Sequence, residues 1–255
     1  MSHFRRLSIR VHEDAEAEPL RARLLELVPA GFEERESEDG LELAAYVPVE
    51  DVEALLEALP AADVEPVPEG WEDAWRSFHH PATAGGLWLG PPWVPPPDPA
   101  RAVVIDPGRA FGTGAHATTR LCVELLATTR RRGALLDVGC GSGVLAIAAA
   151  RLGFDPVVAV DHDPVAVETT RANADANGVS VEARTLDAET QQLPDAEVVV
   201  ANVLLGPVEA ILSRIDADEA ITSGYLVGER PTHKGWSHRE TAALEGWAAD
   251  RFESV

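Results

Sequence analysis

The chain has 255 residues, of which 45% are hydrophobic and 25% charged, a composition typical of a soluble globular protein. Its 43 acidic and 21 basic residues give a net charge of −22, which disfavours direct binding to bare nucleic acid. No apolar stretch reaches the roughly 18 residues that a membrane helix needs, and the N-terminus lacks a signal-peptide core. Cys122 and Cys140 predict neither a disulfide framework nor a metal site, so we expect a cytoplasmic protein.

The acidic excess is concentrated in residues 1–70, where eighteen acidic side chains outnumber six basic ones. Composition alone favours a general explanation, namely solubility or a salt-adapted or GC-rich genome. The alternative is a surface that attracts a basic partner, and the sequence leaves both explanations open.

Residues 1–70 are predicted to form a ferredoxin-like α+β domain. Apolar side chains at alternate positions mark strands, and apolar side chains three or four residues apart mark helices. The second and third strands flank Asp39-Gly40, a turn pair that accepts positive φ. The predicted order is strand, helix, strand, strand, helix, strand, with strands over 4–11, 33–37, 41–47 and 64–67 and helices over 20–28 and 52–59.

Residues 71–100 are predicted to be a linker. Six prolines within 91–99 make a stiff segment that neither a helix nor a central strand tolerates. The linker also holds four of the six tryptophans: Trp71, Trp75, Trp88 and Trp93. We interpret these rings as packing groups that dock the linker, in preference to a substrate-stacking role.

Residues 101–255 alternate between helices and short apolar strands, which predicts a doubly wound, mostly parallel α/β sheet with both faces covered. Strands are predicted over 134–138, 157–160, 181–186, 197–201 and 221–227, and helices over 121–126, 144–152, 165–176 and 208–215. The closing antiparallel strand of such a sheet is not evident in the pattern. Either the chain is truncated or residues 252–255 form a shortened edge strand.

The first strand of this sheet runs into a glycine turn, Gly139-Cys140-Gly141-Ser142-Gly143. Glycine accepts positive φ and has no Cβ, so a ligand can approach the backbone of such a turn. The G-x-G-x-G spacing differs from the G-x-G-x-x-G that binds a dinucleotide pyrophosphate. It suits a ligand without phosphates, such as the methionine part of S-adenosylmethionine, whereas the alternative is a purely structural turn.

Carboxylates follow the next two predicted strands. Asp161 comes twenty-two residues after Gly139, where an acidic side chain accepts hydrogen bonds from both hydroxyls of a ribose. Asp163-Pro164 is typical of a helix start, with the carboxylate as N-cap and proline in the first turn. Asp187 is expected either to contact an adenine edge or to be a solvated loop carboxylate, and the sequence does not distinguish these.

Asn202 ends the fourth predicted strand, at the edge where open α/β sheets bind ligands. Its side-chain carbonyl can accept a hydrogen bond from an amine and so point the nitrogen lone pair at a methyl group. On its own, an asparagine at a strand end is more often a turn or cap residue. Beside the glycine turn and Asp161 we favour the functional interpretation.

A loop over residues 106–119, rich in glycine and threonine, precedes the sheet, and ordered loops on rigid scaffolds often carry function. We predict that Phe111 forms a wall of the reaction pocket and that Gly112 and Thr113 contact the cofactor. His116 is expected either to accept a proton during catalysis or to order the loop as a hydrogen-bond partner. Whichever of the threonines at 118 and 119 does not touch ligand is expected to cap the following helix.

These segments together resemble the ribosomal protein L11 methyltransferase family (PrmA type). The resemblance rests on residues 106–119, 136–150, 160–178 and 199–205, and on residues 71–75 and 87–91 of the linker. It covers about residues 71–228. The Phe-Gly-Thr-Gly loop paired with Asp-Val-Gly-Cys-Gly-Ser-Gly is far more specific than the glycine turn alone.

The resemblance implies a class I methyltransferase domain over 101–255 that uses S-adenosylmethionine, and a domain over 1–70 that recognises the substrate protein. It implies methylation of lysine side-chain and N-terminal amines of ribosomal protein L11. The cofactor contacts that carry over are Thr119, Gly139, Asp161 and Asn202, and we add Gly141 and Gly143 of the same turn. We expect a monomer without a metal, without a membrane partner and without sequence-specific nucleic-acid binding.

Two further functions stay open at this point. One keeps the cofactor but changes the acceptor to another lysine-bearing protein or a small amine. The other is a cofactor-binding module without catalysis. Gly139, Asp161 and Asn202 argue against the second of these.

Overall fold

The computed structural model describes residues 4–11, 20–21, 23–24, 27–28, 32–37, 40–67, 80–106 and 114–255. The chain divides into two compact units, Met1–Phe78 and His79–Val255. The segment 71–100 is therefore shared between the two units. Among the described residues, no helix is long and apolar enough to cross a membrane.

The first unit contains a four-stranded antiparallel sheet in the order β2-β3-β1-β4. Alternation along β1 turns Leu7 and Ile9 into the core, where they meet Leu43 of β3 and the buried helical residue Leu24. The strand order is the one expected of the predicted ferredoxin-like fold. In the predicted first helix, the described residues 20, 21, 23, 24 and 27 are helical, and residues 22, 25 and 26 lie outside the described part of the chain. The elements are β1 (Phe4–Val11), β2 (Glu33–Ser37), β3 (Gly40–Pro48), α1 (Val52–Ala58) and β4 (Asp63–Pro66).

A small three-stranded sheet opens the second unit. β5 (Ala82–Ala84) pairs antiparallel with β6 (Leu87–Gly90), and β6 pairs parallel with β7 (Ala102–Val104). Two of these strands lie in the segment that the sequence interpretation treated as a linker. The proline-rich residues 91–98 between β6 and β7 contain no strand, because proline cannot donate to a ladder.

A seven-stranded sheet in the order β10-β9-β8-β11-β12-β14-β13 forms the centre of the second unit. The five strands β8 to β12 are mutually parallel. The three central strands β8, β9 and β11 are almost wholly apolar and buried, as expected for strands covered on both faces. Its elements are α2 (Ala117–Thr128), β8 (Leu135–Val138), α3 (Val144–Arg151), β9 (Val157–Asp161), α4 (Pro164–Asn177), β10 (Glu182–Thr185), β11 (Val198–Asn202), α5 (Leu205–Leu212), β12 (Glu219–Leu226), β13 (Trp236–Leu244) and β14 (Trp247–Ser254).

The expected shortened edge strand over 252–255 was wrong. β14 is a full eight-residue strand that lies inside the sheet, antiparallel to β12, and β13 forms the edge beyond it. The pattern concealed these strands because β13 is polar and half exposed, and because register shifts at Gly224 and Arg239 break the alternation of apolar residues.

Candidate functional site

Three of the predicted site residues meet at one edge of the large sheet. Val138 of β8 pairs with Val160 of β9 on one side and with Ala201 of β11 on the other. Gly139, Asp161 and Asn202 are the residues that follow these three partners, so parallel pairing brings them together. This edge is where the carboxyl ends of the strands lie, the usual ligand side of an open α/β sheet.

The glycine turn requires glycine at all three positions. Gly139, Gly141 and Gly143 have φ of +77°, +53° and +83°, a region that residues with a Cβ rarely adopt. A Cβ on Gly139 would lie 2.5 Å from Cγ1 of Val203, and a Cβ on Gly143 would lie 3.1 Å from Cα of Thr170. The missing side chains therefore allow the turn to pack closely against Val203 and Thr170.

Asp161 fixes this turn through its carboxylate, which is 9% exposed. Oδ2 accepts a hydrogen bond from the backbone N–H of Gly141, and Oδ1 accepts one from that of Asp163, both at 3.0 Å. Each oxygen keeps lone-pair capacity for a further donor. Asp163 is the predicted N-cap of α4, because its side chain accepts from the backbone of Val165 and proline follows it.

A cleft of about 270 Å³ lies against Gly139 and Asp161. Its other lining residues are mainly apolar and come from the ends of β8, β9 and β11, from the loop after β10 and from α5: Val138, Val160, His162, Leu186, Asp187, Ala188, Glu189, Val203, Leu204, Pro207 and Ile211. Leu204 is 73% exposed. The sequence analysis assigned no role to Val203, Leu204 or Pro207, although they directly follow Asn202.

Asp187 lines the cleft and also closes its own turn. Its carboxylate accepts from the backbone N–H of Glu189 at 2.9 Å and from the hydroxyl of Thr190 at 2.7 Å. The hydrogen bond from Thr190, followed by that from Glu189, holds the pKa of Asp187 below its usual value. The carboxylate is thus ionised at the cleft wall, and its contact with adenine stays a prediction.

Thr119 and Asn202 form a pair at the same edge. Nδ2 of Asn202 donates to Oγ1 of Thr119 at 3.4 Å. Thr119 is 3% exposed, whereas Asn202 is half-buried. Thr119 belongs to the first turn of α2, so the helix before the sheet and a strand near its centre are joined at the site.

His116, and not either threonine, is the N-cap of α2. Its Nδ1 accepts from the backbone N–H of Thr118 at 3.4 Å and lies 2.8 Å from the hydroxyl of the same residue. Its ring meets Trp247 edge to face, with centroids 5.1 Å apart. Desolvation lowers the pKa of His116, and the charge of Glu245 opposes the shift. Because Nδ1 is used as an acceptor, the geometry favours the ordering role, and the proton-accepting role stays a prediction.

Asp137 lies on the strand that leads into the glycine turn, and it binds the helix that follows the turn. The sequence analysis gave it no role. It is 1% exposed on β8, and its Oδ2 accepts from the backbone N–H of Ala146 at 3.0 Å. This bond caps α3, whose N-cap Gly143 has no side chain. Burial raises the pKa of Asp137 to about 7, against the hydrogen bond from Ala146 and with help from the charge of Asp161. A carboxylate within a buried strand was the signal that could have identified it.

The remaining predicted contacts lie outside the described residues. They are Phe111, Gly112 and Thr113 of the loop before α2, together with Trp71 and Trp75. Their cofactor-binding and packing roles stay predictions.

Comparison with known proteins assigns the family. The family model described as ribosomal protein L11 methyltransferase (PrmA) matches residues 12–251. The chain belongs to this family. Curated relatives carry the same description: one from Dechloromonas aromatica is 45% identical over 183 residues, and one from Legionella pneumophila (strain Corby) is 33% identical over 231 residues.

The matches cover the two chains unequally. The Dechloromonas alignment covers 67% of this chain but 61% of the relative's length, whereas the Legionella alignment covers 83% and 80%. A crystal structure of a ribosomal protein L11 methylase from Lactobacillus delbrueckii subsp. bulgaricus aligns with a TM-score of 0.61 at 23% identity. It covers 69% of this chain and 99% of that one. At this identity the likeness confirms the methyltransferase fold.

Proposed function

We propose that this chain is an S-adenosylmethionine-dependent methyltransferase that modifies amino groups of ribosomal protein L11. The observation that carries the proposal is the meeting of Gly139, Asp161 and Asn202 at one sheet edge beside an apolar cleft. Membership of the L11 methyltransferase family supports the same conclusion.

The residues at this edge fit a sulfonium nucleoside. The spare lone pairs of Asp161 suit two ribose hydroxyls, and the apolar cleft suits the purine ring. The turn over Gly139 to Gly143, which has no side chains at three of its five positions, is assigned to the methionine part. Further cofactor contacts are assigned to Thr119, Asp187 and Asn202. In the loop before α2 they are assigned to Phe111, Gly112 and Thr113. When bound, the nucleoside supplies an electrophilic methyl group.

Asn202 is placed to orient the amine that receives this group. Its Oδ1 has no hydrogen-bond partner among the described residues, so it can accept an N–H from the amine and direct the nitrogen lone pair. Holding two reactants in such a geometry lowers the barrier by up to about 7–11 kcal/mol. Phe111, in the loop before α2, is proposed to form a wall of this pocket.

The amine must be neutral before it reacts. For a lysine at pH 7 this costs about 4.6 kcal/mol, and for an N-terminal amine about 1.1 kcal/mol. Desolvation of the amine on binding and the positive charge of the cofactor both lower this cost, because each disfavours the charged amine. A dedicated strong base is then unnecessary, in agreement with the capping role of His116.

The acidity of residues 1–70 supports a basic acceptor. Ribosomal proteins are mostly basic, and complementary charge speeds encounter and favours the correct partner. We therefore assign recognition of L11 to this part of the chain, at lysine side chains and the N-terminal amine.

Transfer of labelled methyl groups tests the proposal. The full chain is incubated with S-adenosylmethionine labelled on the methyl group and with L11, with other large-subunit ribosomal proteins, or with a small amine, and the products are mapped by mass spectrometry. The proposal predicts label on amines of L11, incorporated roughly a hundredfold more slowly by the Asn202→Ala variant. Label confined to another protein or to the small amine contradicts the assigned acceptor. Cofactor binding without transfer to any of them contradicts catalysis.

A further inference from the structure

The glycine turn over 139–143 has three residues without a Cβ, so its own side chains restrict its backbone little. Bonds from other elements must therefore hold its peptide groups in one orientation. Asp161, at the end of β9, supplies one of them, because it accepts from the N–H of Gly141 at 3.0 Å. Two carbonyl groups of the turn are held by a different element, helix α4.

Thr170 and Asn173 of α4 bond to consecutive carbonyl groups of the turn. The hydroxyl of Thr170 donates to the carbonyl of Gly141 at 3.1 Å, and Nδ2 of Asn173 donates to that of Ser142 at 2.9 Å. The two side chains are three residues apart, on one face of the helix, and are 0% and 4% exposed. Sγ of Cys140 also lies 3.3 Å from the Thr170 hydroxyl, but sulfur is a weak partner and the carbonyl is the stronger acceptor.

The amide of Asn173 is held in one orientation by Asp106. Its Oδ1 accepts from the backbone N–H of Asp106, and its Nδ2 donates to the carbonyl of the same residue, both at 3.1 Å. A backbone N–H only donates and a carbonyl only accepts, so a rotated amide would oppose all three of its partners. Nδ2 is thus directed at Ser142, and the turn is joined to the segment that follows β7.

These bonds act on the turn where it meets the proposed cofactor site. The N–H of Gly141 is held by Asp161 and its carbonyl by Thr170, so this residue is fixed through both of its backbone groups. The carbonyl of Ser142 belongs to the same peptide group as the N–H of Gly143, which is itself bonded within the turn. Without the bonds from α4 these peptide groups could rotate, and cofactor binding would have to order them at a cost in affinity.

We infer that Thr170 and Asn173 are positioning residues for the cofactor: from α4 they hold the glycine turn in the conformation that binds S-adenosylmethionine. The inference rests on the proposed function. Neither residue is among those that line the cleft, so both act through the turn. Their effect should appear in cofactor affinity, whereas kcat with saturating cofactor should stay near the wild-type value.

Asn177 is the matched control for Asn173. It lies one turn further along α4, is 7% exposed, and bonds to the N–H and the carbonyl of Val104 at 2.8 and 2.6 Å. Its third bond goes to the carbonyl of Asn173 within the helix, at 2.8 Å, and not to the turn. In calorimetric titrations with S-adenosylhomocysteine, we expect Asn173→Ala to raise Kd about 10-fold and Asn177→Ala to leave it within about 2-fold of the wild type.

A second pair of variants decides the matter if Asn173→Ala does not fold. Thr170→Val keeps the branched, buried shape and removes the donor, so Kd should rise about 3- to 10-fold, whereas Thr170→Ser keeps the donor and should bind nearly as the wild type does. Thr169→Val makes the same change at a hydroxyl that bonds to Val165 within the helix at 2.8 Å, and it should leave Kd unchanged.

Nuclear magnetic resonance of the ligand-free protein completes the test. The amide resonance of Gly143 should shift in Asn173→Ala and keep its position in Asn177→Ala, while the remaining resonances report an intact fold. Equal effects of Asn173→Ala and Asn177→Ala on Kd overturn the inference, as does wild-type affinity in Thr170→Val. If the wild type does not bind S-adenosylhomocysteine, the proposed function fails, and the Gly143 resonance still decides whether α4 holds the turn.

Discussion

Replacement of Asp161 by asparagine tests the cofactor site most sharply. In the wild type each carboxylate oxygen accepts one backbone N–H at 3.0 Å, from Gly141 and from Asp163, and retains a lone pair for the ligand. An asparagine can accept through one oxygen, and its NH₂ group must face the other N–H. The substitution therefore removes charge from the proposed ribose contacts and disturbs the glycine turn.

The expected loss follows from these contacts. Two charge-assisted hydrogen bonds to ribose hydroxyls, at about 1.5 kcal/mol each, amount to about 3 kcal/mol, or roughly a hundredfold in Kd. Calorimetric titration with S-adenosylhomocysteine measures this change directly. We expect the weakening to appear in cofactor Kd and also in KM for the cofactor.

Asp163→Asn is the matched control. Asp163 carries the same group two residues away, but its carboxylate caps α4 through Val165 and asparagine is an equally good N-cap. Its Kd should stay at the wild-type value. The reasoning is refuted if Asp161→Asn binds as tightly as the wild type, or if both variants weaken binding equally.

Three further predictions concern catalysis, the turn and its support. Asn202→Ala should lower kcat roughly a hundredfold with only a modest loss of cofactor affinity, because the main loss is the orientation of the amine. Unchanged turnover in the methyl-transfer assay contradicts this. In denaturant titrations, Gly143→Ala should lower the free energy of unfolding by at least about 1 kcal/mol more than Gly153→Ala. Both glycines have positive φ, but of the two only Gly143 has a neighbour, Thr170, within 4 Å of the position of an added Cβ. The raised pKa of Asp137 means that between about pH 4 and 7 the unfolded state releases a proton that the folded state keeps, so wild-type stability falls as pH rises. The free energy of unfolding of Asp137→Asn, measured relative to that of the wild type, should therefore increase by roughly 2–3 kcal/mol from pH 5 to pH 7. A difference in stability that does not change with pH contradicts the assignment.

The centre of the fold could be predicted because local pattern and global packing agree there. Buried parallel strands read as continuous apolar runs, and the glycine turn needs residues that adopt positive φ, so Gly139, Asp161 and Asn202 could be placed at strand ends from spacing alone. The cap at Asp163 was likewise predictable, since its two determinants are adjacent in the chain.

Contacts between distant segments could not be predicted in this way. The cap at His116 depends on Trp247, which lies in a hairpin whose Glu245 adopts a φ of +54° and whose strands contain register shifts. The pairing of Thr119 with Asn202 spans 83 residues and has no local signal. The support from Asp137 depends on where α3 begins after the turn, which spacing alone does not fix.

A crystal structure of the chain with S-adenosylhomocysteine gives the most direct test of the central claim. It should show both ribose hydroxyls within hydrogen-bonding distance of the Asp161 carboxylate, the purine in the cleft beside Val203 and Leu204, and the sulfur on the Asn202 side of the glycine turn. Ligand bound elsewhere, or a ribose that contacts Asp187 and not Asp161, would contradict it.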